Sequence, residues 1–129
     1  MKEAALVQFA NQKYLNLESY KRDGTGVCTP VWFAEEKGIF YIYSLANVGK
    51  VKRIRNNPQV RIAPCDFRGN VKGIWVDAIA HILDASGAEH GHGLLNKKYG
   101  IAKRIGDFFS KLRKRERVAI ALRVTHSPD

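Results

Sequence analysis

Residues 27–44 are VCTPVWFAEEKGIFYIYS, two runs of β-branched and aromatic residues on either side of a polar segment. Residues 27–34 and 39–44 are predicted strands, because such side chains suit a half-buried pleated surface. Residues 35–38 form the predicted turn between them. Turn residues at 23, 24 and 26 precede the first run, so 14–20 is predicted to be the strand that opens this hairpin.

The rest of the chain alternates between short strand patterns and a few helical ones. Predicted strands follow at 59–65, 71–83 and 118–124, and predicted helices lie at 2–12, 49–57 and 94–112. Six short, mostly hairpin-linked strands close most easily into a barrel, because closure removes the exposed sheet edges. The expected fold class is therefore mainly β, a small six-stranded antiparallel β-barrel with flanking helices.

The chain has 129 residues and a formal net charge of +10. This length predicts a single domain over 1–129, and the charge predicts an anionic partner. The longest uncharged stretch is 38–49, whereas a membrane-spanning helix needs about 20 apolar residues. No secretory pattern or disulfide spacing is visible, so we expect a cytoplasmic protein with no membrane association.

The positive charge falls mainly in two segments. Residues 50–61 carry five cations and no acid, and residues 97–117 carry nine cations against two acids. The first segment begins at a predicted helix start, where free backbone N–H groups and the helix dipole favour phosphate. From spacing alone, a phosphate site and an ordinary solvated helix face stay equally open. The second segment leaves open a nucleic-acid-binding basic domain.

Most enzyme signatures are absent from the sequence. It has no phosphate-binding loop of the Walker type, no dinucleotide fingerprint and no metalloprotease or C-x-x-C motif. The cluster Glu89-His90-Gly91-His92 is predicted to lie in a surface loop rather than in a metal site, since a structural zinc needs four ligands. We therefore predict no metal and no side-chain catalytic residue.

Several motifs together resemble one family. They are RDGT at 22–25, TPVWF at 29–33, GKVKRIRNNP at 49–58, and APCD at 63–66 with Arg68-Gly69. In this combination they resemble the pyridoxamine 5′-phosphate oxidase-like split β-barrel superfamily over residues 11–125. The chain is most similar to its short subfamily of deazaflavin (coenzyme F420)-dependent oxidoreductases.

The resemblance implies a six-stranded split barrel that forms a homodimer, with FMN or coenzyme F420 at the subunit interface. It implies that Lys50 holds the cofactor phosphate and that strand 29–32 lies along the ring system. The cofactor-binding residues expected on this basis are Thr29, Pro30, Val31, Trp32, Ser44, Val48, Gly49, Lys50, Lys52, Arg55 and Trp75. Related oxidases carry an arginine immediately before the phosphate lysine, where this chain has Gly49. Dispersed cations would suit the oligoglutamate tail of F420.

The function expected from this resemblance is an oxidoreductase that transfers a hydride between the bound cofactor and a small organic substrate. A flavin-type cofactor brings its own redox chemistry, which agrees with the missing acid–base constellation. The alternative is a non-catalytic carrier or sensor of FMN, deazaflavin or haem. A nucleic-acid-binding domain is the third and least favoured interpretation.

Overall fold

A computed structural model describes residues 6–45, 49–99 and 117–126. These residues form seven strands and two helices. The strands are β1 (Tyr14–Tyr20), β2 (Gly26–Trp32), β3 (Ala34–Glu36), β4 (Ile39–Leu45), β5 (Gln59–Cys65), β6 (Val76–Ile82) and β7 (Arg117–His126), and the helices are α1 (Gly49–Asn56) and α2 (Ala85–Tyr99).

The strands form one antiparallel sheet in the order β2-β1-β5-β6-β7-β4-β3. The β1 strand lies between β2 and β5, with Glu18 opposite Cys28 on one side and Arg61 on the other. The strands β2 and β3 are the two edges of this order. Only Phe33 separates them in the chain, so the sheet must curl until its two edges meet. The result is the split half-barrel that the sequence predicts.

The inward side of the curled sheet carries the main hydrophobic core. Phe33 is 1% exposed and packs against Phe9 and Phe40, with ring centroids 6.0 and 5.5 Å away. Every strand except β3 contributes to this core or packs against it. The buried aliphatic members that the strands supply are Leu15, Leu17, Ile42, Val60, Ile62, Val76, Ala78, Ala80, Ile120, Leu122 and Val124. Inward and outward positions alternate along each strand, as the pleat requires.

The two helices cover different parts of the barrel. Helix α1 packs its buried Val51 and Ile54 into the main core. Helix α2 begins after Asp84, whose carboxylate accepts a hydrogen bond from the Gly87 N–H, the usual arrangement of an N-cap. It lies outside the sheet, where Leu95 packs with the small residues of β3 and β7 and with Tyr43, whose hydroxyl donates to the Ala88 carbonyl.

The fold class is confirmed, and the strand count is corrected from six to seven. The predicted strand 27–34 breaks at Phe33, because its two halves belong to opposite edges of the sheet. Of the predicted strand 71–83, only Val76–Ile82 forms a strand, and Val71 makes a single bridge to Cys65. Asp66 holds the preceding turn by accepting hydrogen bonds from the N–H groups of Arg68 and Asn70.

Two helix predictions are also corrected. The Glu89–His92 cluster lies within α2 and not in a loop, because the Asp84 cap starts this helix earlier than the apolar pattern shows. His90 lies on α2 with a ring nitrogen 2.7 Å from Glu36 Oε1. In the predicted opening helix, helical turns end by Asn11, which has a φ of 61°. Most of the basic segment 97–117 lies outside the described residues.

No helix within the described ranges is long and apolar enough to span a membrane.

Replacing Phe33 with alanine tests the closure of the sheet. We expect Phe33→Ala to lower the free energy of unfolding by about 3–5 kcal/mol, because it opens a cavity among three packed rings. Urea denaturation of both proteins measures the difference. The matched control is Val7→Ala, since Val7 is 70% exposed and should change stability by less than about 0.5 kcal/mol. Equal effects of the two substitutions would contradict the role given to Phe33.

Candidate functional site

The start of α1 brings positive charge to a position where helices usually prefer negative charge. Gly49 is the first helical residue, and the first turn contains no acid. The first N–H groups of a helix have no partner within the helix, and its dipole places partial positive charge there. Lys50 and Arg53, three positions apart and therefore neighbours on one helix face, add two full charges.

Lys50 is half-buried on α1. Burial, and after it the repulsion from Arg53, lowers the pKa of the Lys50 amine below its ordinary value. Within the described ranges, no carboxylate lies at ion-pairing distance from Lys50 or Arg53. A partly desolvated cation beside a second cation is unfavourable in the absence of an anion. The geometry therefore suits an anionic ligand.

Arg53 is fixed against the barrel. Its Nε donates a hydrogen bond of 2.7 Å to the hydroxyl of Ser19, a fully buried residue of β1. A Cβ built on Gly49 would lie 2.7 Å from Arg53 Nη1, so the guanidinium extends back over the first residue of the helix. Sequence reasoning did not select Arg53. The available signals were its spacing from Lys50 and a serine among the inward positions of β1.

The two other predicted cations of α1 do not join this pair. Lys52 and Arg55 are both exposed. They are three positions apart and therefore share a helix face, and this face is opposite the one that carries Lys50 and Arg53. The structure thus divides the four cations of this helix into an inner pair and a solvated pair.

The predicted ring-binding residues Thr29, Pro30, Val31 and Trp32 form the end of β2, which is an edge strand. Every second residue of an edge strand has backbone N–H and C=O groups that no neighbouring strand uses. Pro30, which lacks an N–H, is tolerated at such an edge. Val31 packs against the main core, and Trp32 packs beside Tyr14, with ring centroids 6.4 Å apart.

Of the remaining site predictions, Ser44 and Trp75 fall in described parts of the chain. Ser44 is buried near the end of β4, on the same side of the strand as Phe40 and Ile42. Val48 lies outside the described residues. Trp75 lies on the outer face of the sheet, where the Arg61 guanidinium is 5.0 Å from its ring centroid. Arg61 lies opposite Glu18, the neighbour of Ser19 in β1. Because neighbouring positions of a strand point to opposite faces, the Arg61–Trp75 pair and Ser19 lie on opposite sides of the sheet within one chain.

Glu18 lies at the centre of an outer cluster that it forms with Tyr20, Cys28, Arg61 and Trp75. Arg61 Nε donates to Glu18 Oε1 at 2.8 Å, and the Tyr20 hydroxyl donates to the same oxygen at 2.9 Å. Burial tends to raise the pKa of Glu18, but these hydrogen bonds and the Arg61 charge lower it overall. The Cys28 thiol is 3.7 Å from Glu18 Oε2, and burial together with the Glu18 charge raises its pKa. A raised pKa keeps this thiol protonated and weakly nucleophilic near neutrality.

The described residues bring together no group of three His, Cys, Asp or Glu side chains that would suit a metal ion.

The chain matches no protein-family model and no curated protein. Among solved structures it is similar to the haem storage protein HutZ from Vibrio cholerae, with a TM-score of 0.72 and 15% identity over 97% of this chain and 91% of that one. It is also similar to a provisionally assigned pyridoxamine 5′-phosphate oxidase from Listeria innocua, with a TM-score of 0.64 and 15% identity over 97% and 94% of the two chains. A third is an F420 reductase, with a TM-score of 0.58 and 20% identity over 93% and 92%.

These similarities span both chains almost completely, and they agree with the topology described above. The protein therefore has the split β-barrel fold of the pyridoxamine 5′-phosphate oxidase type, and the expected resemblance is confirmed at the level of the fold. The fold is shared by proteins named as an oxidase, a reductase and a haem storage protein, so it does not by itself define the activity.

The outer cluster generates a prediction on stability. Because the pKa of Glu18 is lowered by folding, its charge stabilises the protein above the ordinary carboxyl pKa of about 4.5, and this contribution is lost as pH falls through the lowered value. Glu18→Gln should cost about 1 kcal/mol at pH 7 and progressively less below pH 4.5. Urea denaturation at several pH values measures this difference, with the exposed Glu89→Gln as control. A cost for Glu18→Gln that stays constant down to pH 3 would refute the assignment.

Proposed function

We propose that the protein is an oxidoreductase that binds FMN or coenzyme F420 and transfers a hydride between this cofactor and a small organic substrate. The observation that carries the proposal is the half-buried Lys50 at the start of α1, which has Arg53 beside it and no carboxylate partner in the described part of the chain. A cofactor phosphate at this position would offset the desolvation of Lys50 and its repulsion from Arg53.

The edge strand β2 supports the placement of the ring system. Residues 29–32 lie on an edge strand, and an edge strand has backbone N–H and C=O groups directed away from the sheet, which match the carbonyl and N–H groups at the edge of a flavin or deazaflavin. Bound there, the cofactor would supply the hydride chemistry itself. The residues of the chain would hold its phosphate, orient its ring and exclude water.

A homodimer is part of the proposal. Trp75 lies on the sheet face opposite the cation pair, so it can contact a cofactor only if a second subunit brings the two faces together. Exposed apolar side chains at Phe67, Val71 and Ile74 lie in the segment leading to Trp75 and would be buried by such contact.

Both cysteines are free thiols, which suits the reducing cytoplasm.

The alternative is a carrier or sensor that binds its cofactor without turnover. The similarity to a haem storage protein supports this alternative, because that protein has a similar barrel. The two functions differ in one measurable respect. An oxidoreductase reoxidises its reduced cofactor when the substrate is added, whereas a carrier does not change its rate of reoxidation.

Removing the Lys50 charge tests the phosphate site. Lys50→Ala should weaken FMN or F420 binding by about 1.5–3 kcal/mol, the range for a hydrogen bond to a charged group. Fluorescence titration of each cofactor measures the dissociation constants. The matched control is Lys52→Ala, which removes the same charge from an exposed position of the same helix. Equal losses in the two variants would indicate general electrostatic attraction and would contradict a specific role for Lys50.

The cofactor and the activity are tested on the wild-type protein. We expect an absorbance spectrum of FMN or F420 after purification from a host that makes both, and reoxidation of the reduced cofactor that accelerates with an electron-accepting organic compound such as a quinone or nitroaromatic. A haem spectrum, or failure to bind either flavin-type cofactor, would refute the proposed function. Binding with no acceleration by any acceptor would favour the carrier.

A further inference from the structure

The space beside residue 49 is filled by a side chain from the next turn of the helix. A Cβ on Gly49 would lie 2.7 Å from Arg53 Nη1 and 3.7 Å from Cζ. Any side chain at position 49 would therefore displace the guanidinium. Because residue 49 is a glycine, the guanidinium of Arg53 can lie at the start of α1. A larger residue at this position would exclude the guanidinium.

The hydrogen bond to Ser19 fixes the orientation of this guanidinium. Arginine has five N–H donors, of which Nε supplies one, and here Nε donates to the buried Ser19 hydroxyl. Within the described residues, neither Nη atom has a hydrogen-bond acceptor. The two Nη atoms therefore keep a pair of donors for an acceptor outside these residues. Such a planar pair matches two oxygens of one phosphate group.

We propose that Arg53, positioned by Ser19 and admitted by Gly49, is the second cation of the cofactor-phosphate site and makes the site selective for a terminal phosphate. This inference rests on the proposed function. A terminal phosphate monoester carries close to two negative charges near neutrality and three free oxygens, which match the two charges of Lys50 and Arg53. The phosphodiester of F420 carries one negative charge and two free oxygens, so it can use the pair only in part.

The experiment compares Arg53→Gln with Arg55→Gln. Both variants remove one positive charge from α1, but Arg55 is exposed and lies away from Lys50. Isothermal titration is carried out with FMN, riboflavin, F420 and inorganic phosphate. Arg53→Gln should weaken FMN binding 10- to 100-fold, weaken F420 binding less, and leave riboflavin binding within twofold of wild type. Arg55→Gln should stay within twofold for all four ligands.

A second pair of variants separates positioning from folding. Gly49→Ala should displace the guanidinium and weaken FMN binding several-fold, while riboflavin binding stays within twofold of wild type. Ser19→Ala should also weaken FMN binding several-fold without affecting riboflavin. In both variants the ratio of riboflavin to FMN affinity reports on the phosphate alone, and a loss of general stability would not change that ratio.

The outcomes distinguish the inference from the function on which it rests. If wild type binds FMN and Lys50→Ala weakens it while Arg53→Gln does not, the inference on Arg53 fails and the proposed function stands. If Arg53→Gln weakens F420 as much as FMN, the selectivity is refuted. If wild type binds neither cofactor, the proposed function fails, and the inorganic phosphate titration decides whether Arg53 holds a phosphate at all.

Discussion

The barrel depends on a single-residue connection between the two edges of its sheet. Phe33 is the whole link between β2 and β3, which are at opposite ends of the strand order. A one-residue link is possible only if the sheet is rolled so that these edges meet, and burial of the Phe33 ring between Phe9 and Phe40 stabilises the rolled form. The same connection places residues 29–32 on an edge strand of the sheet.

The β1 strand then separates two chemical environments. Ser19 points inward and holds Arg53, whereas Glu18, its neighbour, points outward and pairs with Arg61. Side chains in a strand alternate with a period of two, so a shift of register by one residue would exchange these partners. Leu15 and Leu17, both buried in the main core, fix the register and therefore also fix which arginine reaches which face.

Elements set by local pattern were predictable from the sequence. The predicted strands 14–20 and 59–65 have the observed bounds, and the predicted helix 49–57 differs from α1 by one residue, since Pro58 and turn residues mark these limits. The break at Phe33 was not predictable, because the composition of residues 27–34 suits a continuous strand and only the closure of the sheet interrupts it. Arg53 was missed for the same reason. Its role depends on Ser19, 34 positions away, and on the missing side chain of Gly49.

The charge of residues 50–61 shows why a count of cations does not define a site. All five cations lie within one helix and the following strand, yet burial and partners give them three different environments. Arg61 is neutralised by Glu18, so it adds little to the field around the helix start. Lys52 and Arg55 are screened by water. Lys50 is half-buried beside Arg53, and neither has a carboxylate at ion-pairing distance among the described residues. An anion therefore gains most from this inner pair, which accounts for only two of the five positive charges.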